Sequence, residues 1–487
     1  MNTLRRTMVA VLVLSLLLGV VGRAAAHPLE TVPPSHWAYA ALRQLAVLGL
    51  IPFRTLAHLP LTRGEIAELV RAADHSAAAR TLSAGAGDLL TALRAEFLRD
   101  DPAVRPQAAA RGGWGNATSL TTYPALVPGA FAGLGAGAGW PSGVVWAEGQ
   151  ITSIAPAGVQ LVRAYGLTRF GSFYLQAGRE VQQWSPSARS SLLLGEWAGG
   201  VDMLRLVFDS GRLRFTKFAS PLWTGPTLVY FVGTRLDWQA TDRFRIGFSE
   251  AVLTLPGRML VYALLDPFPV LLTQALDPTR LQTRYLRQTA QLLGTVDFDW
   301  LIRPGFSLAG QVLVDDYSAD GSSPHRIGGL VLFTWADPFR NGRTSLRVEY
   351  SAVLNYTYTD NKFPLFNYIL PSGRLLGYWL GNDADDLVVE LRHVLTPGAT
   401  LSGWLSRTRH GEGRIGIPMP PGPKKFKNSF LSGVVENRWA VGALYETHTG
   451  DRTIRYWGEL ASVQNQNNKL GRNLPEVLLG LEFIWHW

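Results

Sequence analysis

The chain has 487 residues, 47% of them hydrophobic and only 17% charged, with 50 glycines, 16 tryptophans and no cysteine. That length accommodates two or three ordinary domains, or one large closed sheet with a small companion; the missing cysteines exclude a small disulfide-stapled scaffold. Arg5, Arg6 and Arg23 account for three units of the formal net charge of +9, and the +6 left on the rest is dispersed, which argues for an acidic surface polymer rather than nucleic acid as partner.

Residues 1–26 read as a secretory signal peptide. Arg5 and Arg6 make the basic start, Val9 to Val21 the apolar core, and Ala24-Ala25-Ala26 the small-residue cleavage site. The core is shorter than the roughly 20 apolar residues a spanning helix needs. No later run approaches that length, so a mature chain that lives in a membrane must cross it with strands.

From Pro33 to Asp100 the apolar period is helical. Ser35 is expected to cap a first helix with Tyr39, Leu42, Leu45, Ala46 and Gly49 on one side. Thr62-Arg63-Gly64-Glu65 is a capping-box pattern opening a second, lined by Ile66, Leu69, Val70 and Ala73. A third, about Gly87 to Leu98, presents Leu89, Leu90, Leu93 and Phe97. Residues 27–105 are therefore expected to form a small periplasmic helical bundle. The stretch "VPPSHWAYAALRQLAVLGLI…LPLTRGEIAELV" resembles an S-layer-homology module through His36-Trp37-Ala38, the Leu45 to Gly49 spacing and Thr62-Arg63-Gly64-Glu65, where that family has Ala in place of Gly64. The resemblance implies cell-wall binding, to peptidoglycan or a wall polymer, through Trp37, Thr62, Arg63 and Glu65. A single copy leaves a plug or cap that only packs on its neighbour equally open.

From about Gly112 to the end the period becomes two. In "TLVYFVGTRLDW", Leu228, Tyr230, Val232, Leu236 and Trp238 alternate with Thr227, Val229, Phe231, Gly233, Arg235 and Asp237. "DRFRIGFS", "RVEYSAVL" and "LVVELRH" behave alike, with Arg, Glu and Ser opposing Phe, Ile, Val and Leu. One misfit is Lys217, which falls on the face of Leu213 and Phe215. An apolar face without protein cover suits lipid, and a closed sheet has no open edge. Residues 112–487 thus predict a mainly β fold, a transmembrane antiparallel barrel of about 18 strands at roughly 20 residues per strand and connection. A barrel that wide leaves a lumen rather than a packed interior, so inserts or lumenal side chains decide what passes.

Catalytic signals are missing. The nine histidines have no ligand spacing and there is no Gly-x-Ser-x-Gly elbow, so no metal, cofactor or enzymatic activity is expected. Asp315-Asp316 and the carboxylates of Asn382 to Asp386 gather at strand ends, where solvated turns are the plainer reading than a cation site. "PGPKKFKNSF" makes a basic, aromatic loop.

In "AGREVQQWSPSARSSLLLGEWA", Ala177 to Ala198, Arg179 and Glu180 end a strand, Trp184 and Pro186 mark a loop, and Leu192 to Leu194 restart an apolar run. This stretch, with "RLDWQATDRFRIGFSEAVL", "LVDDYSADG" and "LGNDADDLVVEL" in the same order, resembles outer-membrane capsule-assembly proteins of the Wzi type. The resemblance implies an 18-stranded barrel with a periplasmic helical bundle, located in the cell outer membrane. The implied function is non-catalytic: binding, attaching or organising capsular or exopolysaccharide at the cell surface. Candidate contacts are Arg179, Glu180, Trp184, Arg235, Asp315, Asp316, Asp383, Asp385, Lys424, Lys425 and Lys427. The alternative is a porin for sugars or small solutes, tethered to peptidoglycan by the N-terminal module. The last residues, "VLLGLEFIWHW", alternate so that Val477, Leu479, Leu481, Phe483, Trp485 and Trp487 share one face. That strand is expected to pair with the first, turn its apolar face to outer-membrane lipid, set Phe483, Trp485 and Trp487 at the interface, and serve the barrel-insertion machinery as a signal.

Overall fold

The computed structural model describes residues 27–78, 81–98, 107–153, 158–265, 290–316, 324–360, 363–419, 430–449 and 451–486. The expected signal peptide, the loop holding Lys424, Lys425 and Lys427, and Trp487 lie outside the described residues, as does the side chain of Asp316.

Eighteen antiparallel strands close into one barrel. In chain order they are β1 Gln107–Gly115, β2 Ala130–Trp140, β3 Gly143–Thr152, β4 Gly158–Phe170, β5 Phe173–Val181, β6 Gly200–Asp209, β7 Leu213–Thr224, β8 Thr227–Thr241 and β9 Phe244–Thr254. The second half is β10 Ala290–Arg303, β11 Phe306–Asp316, β12 Arg326–Ala336, β13 Thr344–Val353, β14 Ala384–Thr396, β15 Ala399–His410, β16 Glu436–Thr449, β17 Arg452–Gln464 and β18 Leu474–His486. The first strand starts at Gln107, ahead of the expected Gly112. The terminal strand closes the sheet as its pattern anticipates, with Leu479 opposite Trp114 and Phe483 opposite Ala110.

The two ends differ in how the strands are joined. One carries short turns such as Pro304-Gly305 and Pro397-Gly398, where proline sets the first turn dihedral and Gly305 and Gly398 take the positive φ (91° and 86°) that a side chain resists. The other carries long connections, among them 116–129, 182–199, 354–383 and 411–435.

Strand parity sorts the wall as the sequence pattern anticipates. Leu236 and Trp238 point out and Arg235 and Asp237 point in; Leu387, Val389 and Leu391 point out. On the last strand Leu479, Leu481 and Trp485 are exposed while Leu478 is buried. Outward aromatics gather at the short-turn end (Phe170, Phe173 and Phe208; Phe306, Phe333 and Trp335) and again near the other end as Trp114, Trp223 and Trp439. Trp223 is in register with Leu228, and Trp238 lies ten residues further along β8. At ~3.3 Å per residue and ~40° tilt that interval spans about 25 Å, the height of a membrane barrel's apolar band.

Three helices sit at the short-turn end: α1 Trp37–Val47, α2 Arg63–Ala78 and α3 Ala84–Phe97. Two starts and one stop differ from the sequence reading. His36, not Ser35, caps α1, its Nδ1 accepting from the Ala38 N–H at 3.2 Å. Ser83 caps α3, which starts at Ala84, three residues ahead of Gly87. Gly49 lies beyond the end of α1 at φ 73°, while the Leu50 N–H reaches back to the Leu45 carbonyl, so it ends the helix instead of lining it. The capping box is made: the Thr62 N–H donates to Glu65 Oε2 at 2.7 Å and the Glu65 N–H to Thr62 Oγ1 at 3.2 Å.

The helical core continues into the barrel through Leu301, Ala336 and Val394. Trp37 stacks on His448 with ring centroids 4.4 Å apart, Glu65 pairs with Arg214, and the Gly85 N–H donates to the Gly342 carbonyl. The helices therefore close this end of the barrel as a plug.

Candidate functional site

An 18-stranded barrel is too wide for wall side chains to meet across it, yet here the lumen is filled. The connection 182–199 folds inward as a strap, closed on itself by the Trp184 N–H to the Leu194 carbonyl at 2.8 Å. Gln183-Trp184 pairs with His58-Leu59 of the plug, joining strap and plug mid-lumen. Leu192 to Leu194, the apolar run that follows the loop, are an irregular buried segment, and the next strand begins at Gly200.

A buried irregular backbone must have its polar groups satisfied by side chains. Gln311 accepts from the Leu192 N–H (2.9 Å) and donates to the Trp184 carbonyl (2.9 Å). The Tyr358 and Tyr368 hydroxyls donate to the Leu192 and Leu193 carbonyls. Ser187 Oγ donates to Glu349 and Arg189 Nε to Asp386. Tyr358 and Tyr368 belong to the connection 354–383, which lies over the strap and adds Phe366, Leu376, Tyr378 and Trp379 to one apolar core. Inward wall residues facing this core are apolar too, including Phe218, Phe231, Leu253, Leu293 and Leu313. This part of the inner wall is therefore apolar and packed, as Val229 and Phe231 on the face of Arg235 and Asp237 allow.

Below the strap the inner wall carries a lattice of charges. Arg235 and Arg245 are both fully buried and share Asp237 and Asp297; Arg245 also pairs with Asp299 at 2.7 Å. His58 Nδ1 donates to Asp237 at 3.0 Å, which ties the plug into the lattice. Burial lowers the His58 pKa to about 4, so the ring makes this contact in its neutral form. The guanidiniums close over Gly247, where a Cβ would come within 2.7 Å of Arg235 and Arg245 and 2.9 Å of Asp297. Gly247→Ala is expected to cost about 1–3 kcal/mol through this overpacking, measured as a lower urea midpoint of the refolded barrel.

The sequence-derived candidates separate into three groups. Glu180, Trp184, Arg235, Asp383 and Asp385 are buried and bonded inside the protein. Glu180 accepts from Thr31 Oγ1. Asp383 accepts from the Gly413 and Ser432 N–H groups, and Asp385 holds Arg409 in a bidentate pair. These side chains are covered by their partners, and the expected solvated turn at 382–386 is corrected: Asp383 ties the connection 354–383 to 411–435, and Asp385 ties neighbouring wall strands together through Arg409 and Tyr350. Asp315 accepts from the Tyr358 N–H at 2.8 Å and belongs with them. Arg179 faces outward, bidentate with Asp202 at 2.7 and 2.6 Å. Of the wall-binding candidates, Trp37, Thr62 and Glu65 make the plug contacts given above, and Arg63 pairs with Glu96 at 2.7 Å beneath Phe97.

The sequence reading missed a cluster at the long-loop end. Tyr123, Trp197 and Trp379 come from three different connections, Tyr123 meeting Trp197 and Trp379 edge-on at 5.0 and 5.2 Å. The Arg189 guanidinium lies 4.0 Å over the Tyr123 ring and 5.4 Å over Trp379. Trp379 is buried, whereas Tyr123 and Trp197 stay partly open to solvent. The available signal was an aromatic among Gly and Pro in each segment: "TTYPALVPG", "LGEWAGG" and "GYWLGND".

A family model described as capsule assembly protein Wzi matches residues 83–450. Among solved structures, the chain is similar to the Escherichia coli outer-membrane protein Wzi, described as involved in group 1 capsule assembly and as a carbohydrate-binding β-barrel. That match has a TM-score of 0.69 at 14% identity and covers 93% of this chain and 99% of that one. It is also similar to the Pseudomonas aeruginosa outer-membrane proteins OpdK (TM-score 0.44, 9% identity, 79% of this chain and 99% of that one) and OprD (0.43, 10%, 79% and 94%). No curated protein sequence matches the chain.

Proposed function

The chain belongs to the Wzi capsule-assembly family, and from that membership we propose that it binds and holds capsular or exopolysaccharide at the cell surface, without catalysis, through the long-loop end of its outer-membrane barrel. Short turns face the periplasm and long loops the exterior in such barrels. On this sidedness we read the Tyr123–Trp197–Trp379 cluster as exterior and the helices as periplasmic. The observation that carries the reading is that cluster, held rigid by Arg189 above a filled lumen. Aromatic rings left partly open offer flat apolar faces for sugar rings, and Arg374 beside Gly199 adds a cation for uronate carboxylates. The packed strap leaves a porin reading without a conduit among the described residues.

A second activity attaches to the periplasmic end. A cleft of about 580 Å³ between the helices and the barrel turns is lined by Thr62, Arg63, Glu65, Glu68, Arg71 and Arg169, among others. Its mixed charges suit a zwitterionic cell-wall polymer such as peptidoglycan. The terminal strand with Phe483 and Trp485 is the segment we assign to the insertion machinery.

The test is gene deletion followed by complementation. Deletion is expected to shift polysaccharide from the cell-bound to the shed fraction, wild type to restore it, and Trp197→Ala, folded by heat-modifiable migration, to fail. Unchanged retention in the deletion strain would remove the reading.

A further inference from the structure

One helix stands outside the barrel. Val232 of β8 and Val252 of β9 are register partners on the outward face. Each is only 1% exposed, because Met259 and Ala263 of α4 (Arg258–Leu265), one turn apart, pack over them. Val261, Leu264 and Leu265 point elsewhere and are exposed, Leu265 most of all at 76%. A helix apolar on both sides is matched to a buried or lipid setting, not to water.

Its depth agrees. Val232 lies four residues along β8 from Leu228, the partner of the belt residue Trp223. At ~3.3 Å per residue and ~40° tilt this is about 10 Å inside the apolar band. The bare wall around it is exposed and apolar at Trp223, Trp238 and Val296, so the helix face continues the same lipid-facing surface.

We propose that α4 is immersed in the leaflet at the long-loop end, where Val261, Leu264 and Leu265 pack against lipid acyl chains while Met259 and Ala263 grip the wall. It broadens the barrel's apolar belt over β8 and β9.

The native chain has no cysteine, so single nitroxide labels need no prior substitutions. Full-length protein carrying Val261→Cys, Leu264→Cys or Leu265→Cys is labelled in liposomes and compared with Val296→Cys on the bare wall and Leu470→Cys in an outer connection. Folding is checked by heat-modifiable migration. The expected result is oxygen accessibility matching position 296 and several-fold protection from a water-soluble nickel chelate relative to position 470. Chelate accessibility like that of position 470 would place the helix in water. Protection from both reagents, with or without spin–spin broadening, would mean a second copy or another protein covers it. Either outcome overturns the proposal.

Discussion

Asp297→Ala is expected to lower the stability of the barrel by about 3–5 kcal/mol, the range for removing one partner from a buried charge pair. Asp297 receives Arg235 on both carboxylate oxygens at 2.8 and 3.1 Å, and Arg245 as well. Its side chain and both guanidiniums have no solvent exposure. Without it, two buried cations must share Asp237 and Asp299, and the loss reaches the plug because His58 binds the same Asp237. Urea titration of the refolded protein should show a reduced midpoint with a similar slope. Asp242→Ala is the control: its 3.9 Å pair with Arg212 is almost fully solvent-exposed, and it should change nothing measurable.

Trp184→Ala should cost a similar ~3–5 kcal/mol, the usual loss for a buried tryptophan. Its consequence is also functional. The ring packs against His58 at 5.7 Å and Phe218 at 5.4 Å, where plug, strap and wall meet. Emptying that volume removes the contact that holds the strap down on the plug. In planar bilayers the wild type should give no steady channel, whereas the variant should give fluctuating openings as the strap comes loose. A wild type that conducts steadily would mean the strap does not seal the lumen.

Most of the wall was legible in the sequence. Alternation is a local property, because the pleat alone sends Arg235 and Asp237 one way and Leu236 and Trp238 the other. Even the misfit Lys217 faces outward, as its position in the pattern implies. The capping box at Thr62 and Glu65 was legible for the same reason, since its partners are three residues apart. The cap of α1 was not: Ser35 and His36 are adjacent and both can accept, and only the chain path selects His36.

The candidate site was far less legible. Arg235, Asp383 and Asp385 carry the right chemistry for sugars, but their exposure depends on partners far along the chain. Asp383 is covered by Ser432, 49 residues away, and Arg189 by Asp386, 197 residues away. The Tyr123–Trp197–Trp379 cluster exists only because three connections converge on one end.

By itself the sequence determined the compartment and the wall: period-two strands, an apolar outward face and a terminal aromatic strand that closes the sheet. All of these follow from each residue's relation to its near neighbours and to lipid. Only the tertiary structure decided what occupies the space inside. An apolar run such as Leu192 to Leu194 reads the same whether it spans a bilayer or crosses a lumen. Its fate was set by Gln311, Tyr358 and Tyr368, whose side chains reach in from distant segments to satisfy its backbone where neither water nor a neighbouring strand can.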